Sequence, residues 1–304
     1  MSLVVILFFT NFWLTYALDV NYHKRCSETL QTFADFEQVK VPYDKLLTFF
    51  DPNNCQVSTT TYTKDQDVGE SGRSSSSQTN SRERALALIV SHVAAAISGQ
   101  PTRCLSEIKD LSIWNLLSWG HIDQNLPKDK LLKYISSEYF PTDKPSGVII
   151  DGIRHENLES PSFVEPTFDI IVAADVYEHV PRPYSSLQKL LKAINPGGAL
   201  VLVVPFAAAD AEDILMARML PNGTVINGPG NANLKPPLYH GSRVHPAPGW
   251  QVFNIFGQNF LKLLCKIGYY VTIQHVQDIN HGIPSIQIVI VAWKRKGHNA
   301  FRGS

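Results

Sequence analysis

The sequence predicts an α/β domain, a doubly wound and mostly parallel sheet closed by an antiparallel strand. Three stretches carry that prediction. The first is Phe168 to Phe206. Its opening run FDIIVAAD has the composition of a buried strand, and Ala199 to Val204 is a second strand, apolar throughout. Between them Pro181 and Pro183 open a helix whose apolar positions Leu187, Leu190, Leu191 and Ile194 fall at i, i+3, i+4 and i+7, one buried stripe. Two all-apolar strands joined by a crossover helix make a parallel pair covered on both faces. The second stretch runs from Ser112, where strand-like and helix-like pieces alternate. The third is the end of the chain, where two alternating segments follow an amphipathic helix.

The elements then read in order. Residues 1–17 are expected to be a signal peptide or anchor: Leu3 to Leu14 is apolar except for Thr10 and Asn11, and Thr15-Tyr16-Ala17 places small residues before a plausible cleavage point. The apolar run is short for a membrane span of ~20 residues. Residues 18–83 are expected to be an N-terminal extension, with a short helix at Cys26 to Val39 and a Ser/Thr-rich linker from Ser58 to Ser81. Residues 84–296 are expected to be the α/β domain, and 297–304 a tail. Arg84 to Ser98 is a core helix stopped by Gly99-Gln100-Pro101. Strands follow at Ser112 to Leu117, Tyr134 to Ser137 and Val148 to Ile150, before the two already named. Asn195-Pro196-Gly197-Gly198 turns the chain between helix and strand. Ala207 to Trp250 is an insertion with a short helix expected at Ala211 to Met219. A helix at Gln258 to Ile267 and strands at Tyr269 to Val276 and Ile286 to Trp293 complete the domain.

Lys+Arg and Asp+Glu both number 27, so no global field recruits nucleic acid, which is not favoured as a partner. A membrane enters only if the N-terminal segment is an uncleaved anchor. Four cysteines, an even count, suit an oxidising compartment. Cys26 and Cys55 could close a small loop, with Cys104 and Cys265 read as buried thiols. Asn222-Gly223-Thr224 is a glycosylation sequon if the chain enters the secretory pathway.

The DVYEHVPRP run followed by NPGG resembles the fourth strand, following helix and fifth strand of class I S-adenosylmethionine-dependent methyltransferases, closest to their type 11 group. The GQNFLKLLCKIGYYV run is similar to that family's last helix and strand. The resemblance implies a Rossmann-like fold, S-adenosyl-L-methionine as cofactor and a small-molecule or protein methyl acceptor. It implies Asn115 and Gly120 at the cofactor turn, Glu138 on the ribose, and Asn157 and Leu158 beside the adenine, with Glu156 preceding them. Asp175, Glu178 and His179 are the candidate catalytic residues at the acceptor side. The departure lies in SIWNLLSWGHID: Asn115 stands where an acid is expected, only Gly120 remains of the glycine-rich turn, and Trp119 and His121 crowd it. The alternative is therefore a pseudoenzyme of this fold acting as a secreted binding module. Tyr239-His240-Gly241 is similar to a run in some type 11 members and is expected to cover the acceptor pocket. No metal ligand set is assigned, although Asp175, Glu178 and His179 could join His240 or His245 in a site similar to that of small-RNA 2′-O-methyltransferases, two carboxylates and two imidazoles that would suit magnesium or manganese.

Overall fold

The computed structural model describes residues 45–62, 73–117, 120–227, 237–240, 244 and 248–296. The first elements are β1 (Lys45–Phe50) and β2 (Val57–Tyr62), an antiparallel hairpin, and helix α1 (Ser81–Ser98). Then come β3 (Ser112–Asn115), α2 (His121–Asn125), β4 (Lys133–Glu138), β5 (Ile149–Ile150), β6 (Ile153–His155) and β7 (Phe168–Ala174). A 3-10 turn at Tyr177–His179 leads to α3 (Pro183–Ala193) and β8 (Ile194–Val203). The insertion carries β9 (Ile214–Leu215), β10 (Ala217–Met219), β11 (Val225–Asn227), β12 (Tyr239–His240), β13 (Trp250–Gln251) and β14 (Asn254–Ile255). Helix α4 (Gln258–Ile267), β15 (Tyr270–Asp278) and β16 (Ile283–Trp293) close the fold.

One sheet of eight strands organises the molecule, in the order β15-β16-β8-β7-β3-β4-β6-β5. β3, β4, β6, β7 and β8 run parallel, while β16 is antiparallel to β8 and β15 to β16. The two-residue side-chain period of β7 and β8 divides the core. Ile171, Ala173, Leu200 and Leu202 pack under Leu187 and Leu190 of α3 and Phe260 and Leu264 of α4. Ile170, Val172, Ala199 and Val201 pack on the other face under Leu86, Ile89 and Val90 of α1. Consecutive apolar residues in the sequence thus serve two different helix layers, which is why these strands show no polar face.

Local signals fix the ends of the elements. Asn80 and Glu83 form a reciprocal capping box at the start of α1. Pro183 opens α3 and Gly268, left-handed, ends α4. Asn195-Pro196-Gly197-Gly198 does not form the expected turn but lies within β8, where the register against β7 shifts; a Cβ on Gly198 would stand 2.5 Å from the Asp169 carbonyl oxygen, so only glycine fits there. The N-terminal hairpin is docked, not a loose extension. Arg84 is fully buried, donates from Nε to the Gly282 carbonyl at 3.0 Å, and lies 4.9 Å from the Phe49 ring centre. Burial pushes the pKa of this guanidinium down to about 10, against the pull of Asp51 and Glu83.

Several sequence expectations need correction. The third parallel strand is Ile153–His155, because Ile149–Ile150 turns back on it as an antiparallel edge. No helix forms at Ala211 to Met219; Ile214–Leu215 pairs with Asn254–Ile255 and Ala217–Met219 with Val225–Asn227, and these ladders override helix propensity. Cys55 bonds Cys104, with Cα atoms 5.5 Å apart, and Cys265 is also disulfide-bonded, so neither Cys104 nor Cys265 is a free thiol. The linker expected over Ser58 to Ser81 is built structure where described. Burial opposes ionisation of Asp51, but hydrogen bonds from Ser74, Ser77 and Asn53 outweigh it and hold its pKa below the usual value. The N-terminal segment, the helix expected at Cys26 to Val39, Trp119, Gly241, His245 and the tail lie outside the described residues. No described helix is long and apolar enough to cross a membrane.

Candidate functional site

The chain leaves β3 toward β4 and β6 on one side, and returns through β7 toward β8 on the other. The carboxyl ends of β3 and β7 therefore meet at a topological switch point, where open α/β sheets bind ligands. A pocket lies there, lined by Asn115, Leu117, Gly120, His121 and Asp175 from the sheet edge and by Arg82 and Glu83 from α1. Asn115 is buried and its Nδ2 donates to the Leu117 carbonyl, bracing the turn. Gly120 precedes α2 with φ −77°, and an added Cβ would meet only ordinary contacts, the nearest 3.6 Å away. The protein's own packing leaves room at this glycine.

Across the pocket Arg82 Nη1 lies 3.1 Å from Asp175 Oδ1, both side chains about one third exposed at 34% and 32%. Asp175 has φ +53°, a left-handed conformation in which Asp is better tolerated than most residues. His121 sits beside them with 10% of its side chain exposed. Its Nε2 is buried and has no hydrogen-bond partner among the described residues. Burial, helped by the charge of Arg82, pushes its pKa down to about 3, so the ring is neutral.

The remaining expected ligands follow along the same edge. Glu138 ends β4, and its carbonyl accepts the Glu156 amide at 2.9 Å. Asn157 spends its Oδ1 on the Glu159 amide at 2.9 Å, and Leu158 is buried in the core. Glu156 is bound by Arg154 and Ser162, which gives it a structural role. The structure thus unites Asn115, Gly120 and Asp175 in one pocket, with Glu138 at the end of β4 and Asn157 and Leu158 in the loop after β6.

Three residues past Asp175 a second group assembles. Glu178 is fully buried, and neither carboxylate oxygen receives a hydrogen bond among the described residues. His240 Nδ1 is 3.4 Å and His179 Nε2 3.9 Å from its Oε1. The insertion positions both rings. Tyr239 pairs with Gln251 and His240 with Trp250, which sets His240 over the carboxylate. The Gln251 carbonyl lies 2.8 Å from His179 Nδ1, and the Phe253 amide donates to the Glu178 carbonyl at 2.7 Å. The Glu178 carboxylate raises the pKa of His240, while burial lowers that of His179 despite the same neighbour. Trp250 stands 5.3 Å, ring centre to ring centre, from Tyr139 at the end of β4, so the insertion spans the edge.

A family model described as a methyltransferase domain matches residues 77–239, more than half of the chain. The chain belongs to that family. No curated protein matches this methyltransferase-family chain in sequence. Among solved structures, an S-adenosylmethionine-dependent methyltransferase from Mesorhizobium loti is 13% identical, with 62% of this chain and 93% of that chain covered and a TM-score of 0.37. The 1,6-didemethyltoxoflavin-N1-methyltransferase of Burkholderia thailandensis, solved with 1,6-didemethyltoxoflavin and S-adenosylhomocysteine, is 12% identical over 69% of this chain and 79% of that chain, TM-score 0.40. A methyltransferase from Methanosarcina mazei is 15% identical over 62% and 94%, TM-score 0.35. Membership rests on the family match, and the Rossmann-like fold on the strand order described above.

S-adenosylmethionine is the cofactor that membership implies, and the residues at the switch point fit its amino-acid end. Arg82 and Asp175 supply one positive and one negative group, the neutral His121 holds a buried nitrogen with no hydrogen-bond partner among the described residues, and Gly120 leaves space. Arg82 was not legible from the sequence as a site residue. It precedes the predicted helix start and lies 93 positions from Asp175, with no motif around it.

Proposed function

We propose that this chain binds S-adenosylmethionine at the β3–β7 edge and transfers its methyl group to a small-molecule or protein acceptor beneath the insertion. The observation that carries this is the Arg82–Asp175 pair across the Gly120 turn. A guanidinium matches an α-carboxylate and an aspartate matches an α-ammonium, so the pair can open and close again on a zwitterion. In this reading charged side chains replace the glycine-rich backbone cradle that the sequence lacks. Glu138, at the end of the adjacent strand, takes the ribose hydroxyls. When bound, the cofactor supplies an electrophilic methyl on a sulfonium. The protein's part is then to align an acceptor nucleophile with it and exclude water, which the insertion over Tyr139 and Glu178 serves.

The test is calorimetric titration of the full chain with S-adenosylhomocysteine and with 5′-methylthioadenosine, which lacks the amino-acid end. Arg82→Ala is expected to weaken S-adenosylhomocysteine about 10- to 100-fold, the scale of a charge-assisted contact, with little change for methylthioadenosine. Absence of binding at millimolar S-adenosylhomocysteine would overturn the enzyme reading in favour of the binding module. Equal losses for both ligands would overturn the role given to Arg82.

We also infer passage through the secretory pathway. The support is the Cys55–Cys104 disulfide, the apolar first residues, and the sequon at Asn222, which is exposed in a turn. Protein that stays in the cytosol of expressing eukaryotic cells and shows no mass change on glycosidase treatment would contradict it.

A further inference from the structure

We propose that Glu178, His179 and His240 hold a divalent first-row transition ion beneath the insertion. The Glu178 carboxylate is wholly buried, and neither oxygen has a hydrogen-bond partner among the described residues. A carboxylate so placed is costly unless a cation answers it. His179 does not answer it as a neutral ring. Its Nδ1 faces the Gln251 carbonyl at 2.8 Å, and a carbonyl only accepts, so Nδ1 carries the proton. Nε2 then presents a lone pair toward Glu178 Oε1 at 3.9 Å. Two acceptors face one another with a gap between them, and the backbone carbonyl behind the imidazole fixes the tautomer as it does for metal-bound histidines.

His240 enters from the other side, Nδ1 3.4 Å from the same oxygen, its ring 85° to that of His179 with centres 5.0 Å apart. One ligand atom from each of the three residues lies within 4.8 Å of the others. Donors on a tetrahedral ion with bonds of about 2.1 Å stand roughly 3.4 Å apart, so small side-chain rotations close the set. An imidazolium at His240 could neutralise one oxygen. It would leave the His179 lone pair unanswered, and a metal ion answers that lone pair and the carboxylate charge together.

Two imidazoles and one carboxylate favour zinc, manganese, iron or cobalt over the all-oxygen cages of calcium and magnesium. Three protein ligands also leave coordination positions for water or for an oxygen or nitrogen of an acceptor. Because His240 and Gln251 share one ladder of the insertion while Glu178 and His179 belong to the sheet edge, the ion would fasten the insertion over the site. The proposal does not depend on methyl transfer.

The test uses the full chain, untagged and freed of metal with a chelator, without cofactor. Zn²⁺ titration is expected to show one tight site that weakens at least tenfold in His240→Ala and in Glu178→Gln. Co²⁺ is expected to give visible absorption bands that the same variants lose. Wild-type protein that binds no Zn²⁺ at about 100 µM would overturn the proposal, as would unchanged Zn²⁺ affinity in His240→Ala. His240 is on the part-exposed insertion, so that variant remains decisive if Glu178→Gln fails to fold.

Discussion

Asp175 and Glu178 are three residues apart, yet the protein treats their charges in opposite ways. Asp175 lies in a pocket open to water and is paired with Arg82, each about one third exposed at 32% and 34%. Glu178 is wholly buried and its oxygens have no hydrogen-bond partner among the described residues. An exposed ion pair is worth ~0–1 kcal/mol, so a zwitterionic ligand can divide it at little cost. A buried lone carboxylate carries a penalty of several kcal/mol that only a bound cation or protonation removes. The first arrangement suits a ligand that comes and goes, and the second suits a resident ion.

The largest effect on this contrast should come from Glu178→Gln in metal-free protein. Removing a buried charge whose oxygens receive no hydrogen bond among the described residues is expected to stabilise the chain by about 1–3 kcal/mol in denaturant melts with chelator present. Added Zn²⁺ should reverse the order by stabilising only the wild type. A variant less stable than wild type under chelator would mean that Glu178 is already satisfied.

The second effect concerns His121, whose folded pKa of about 3 lies below the unfolded value of about 6.5. Between those values the unfolded chain binds more protons, so stability should fall as pH drops through the window and be insensitive to His121 above it. The limit is about 1.4 kcal/mol per pH unit. With 10% of the side chain exposed, the slope should be smaller. His121→Gln should flatten it, and identical slopes in melts of the two proteins between pH 4 and 6 would refute the shift.

The smallest effect is on stability in Asp175→Asn. Asn tolerates the φ of +53° and the lost pair is solvent-exposed, so stability should change by less than about 1 kcal/mol. S-adenosylhomocysteine affinity should nevertheless fall. A large loss of stability would show that the pair is structural, and the contrast with Glu178 would collapse.

The parts of the fold legible in the sequence are those with local causes. The helix at Gln258–Ile267 has the predicted ends because Gly268 stops it, and β7 and β8 follow from uninterrupted apolar runs. The insertion departs from its local signal because a composition of Ala, Leu and Met favours helix, while pairing with residues some 40 positions away makes it strand. The β12–β13 ladder brings His240 to Glu178, a pairing between segments about 60 positions apart that no local pattern announces.

By itself the sequence determined the α/β class, the buried strands and the DVYEHV edge, since hydrophobic periods of 2 and 3.6 and turn residues act over a few positions. Only the tertiary structure decided that Cys55 bonds Cys104, that Arg82 faces Asp175, and that Gln251 fixes the tautomer of a histidine 72 positions earlier. Those pairs form where separate elements converge on one strand edge, and no local pattern encodes a meeting set by the packing of the whole domain.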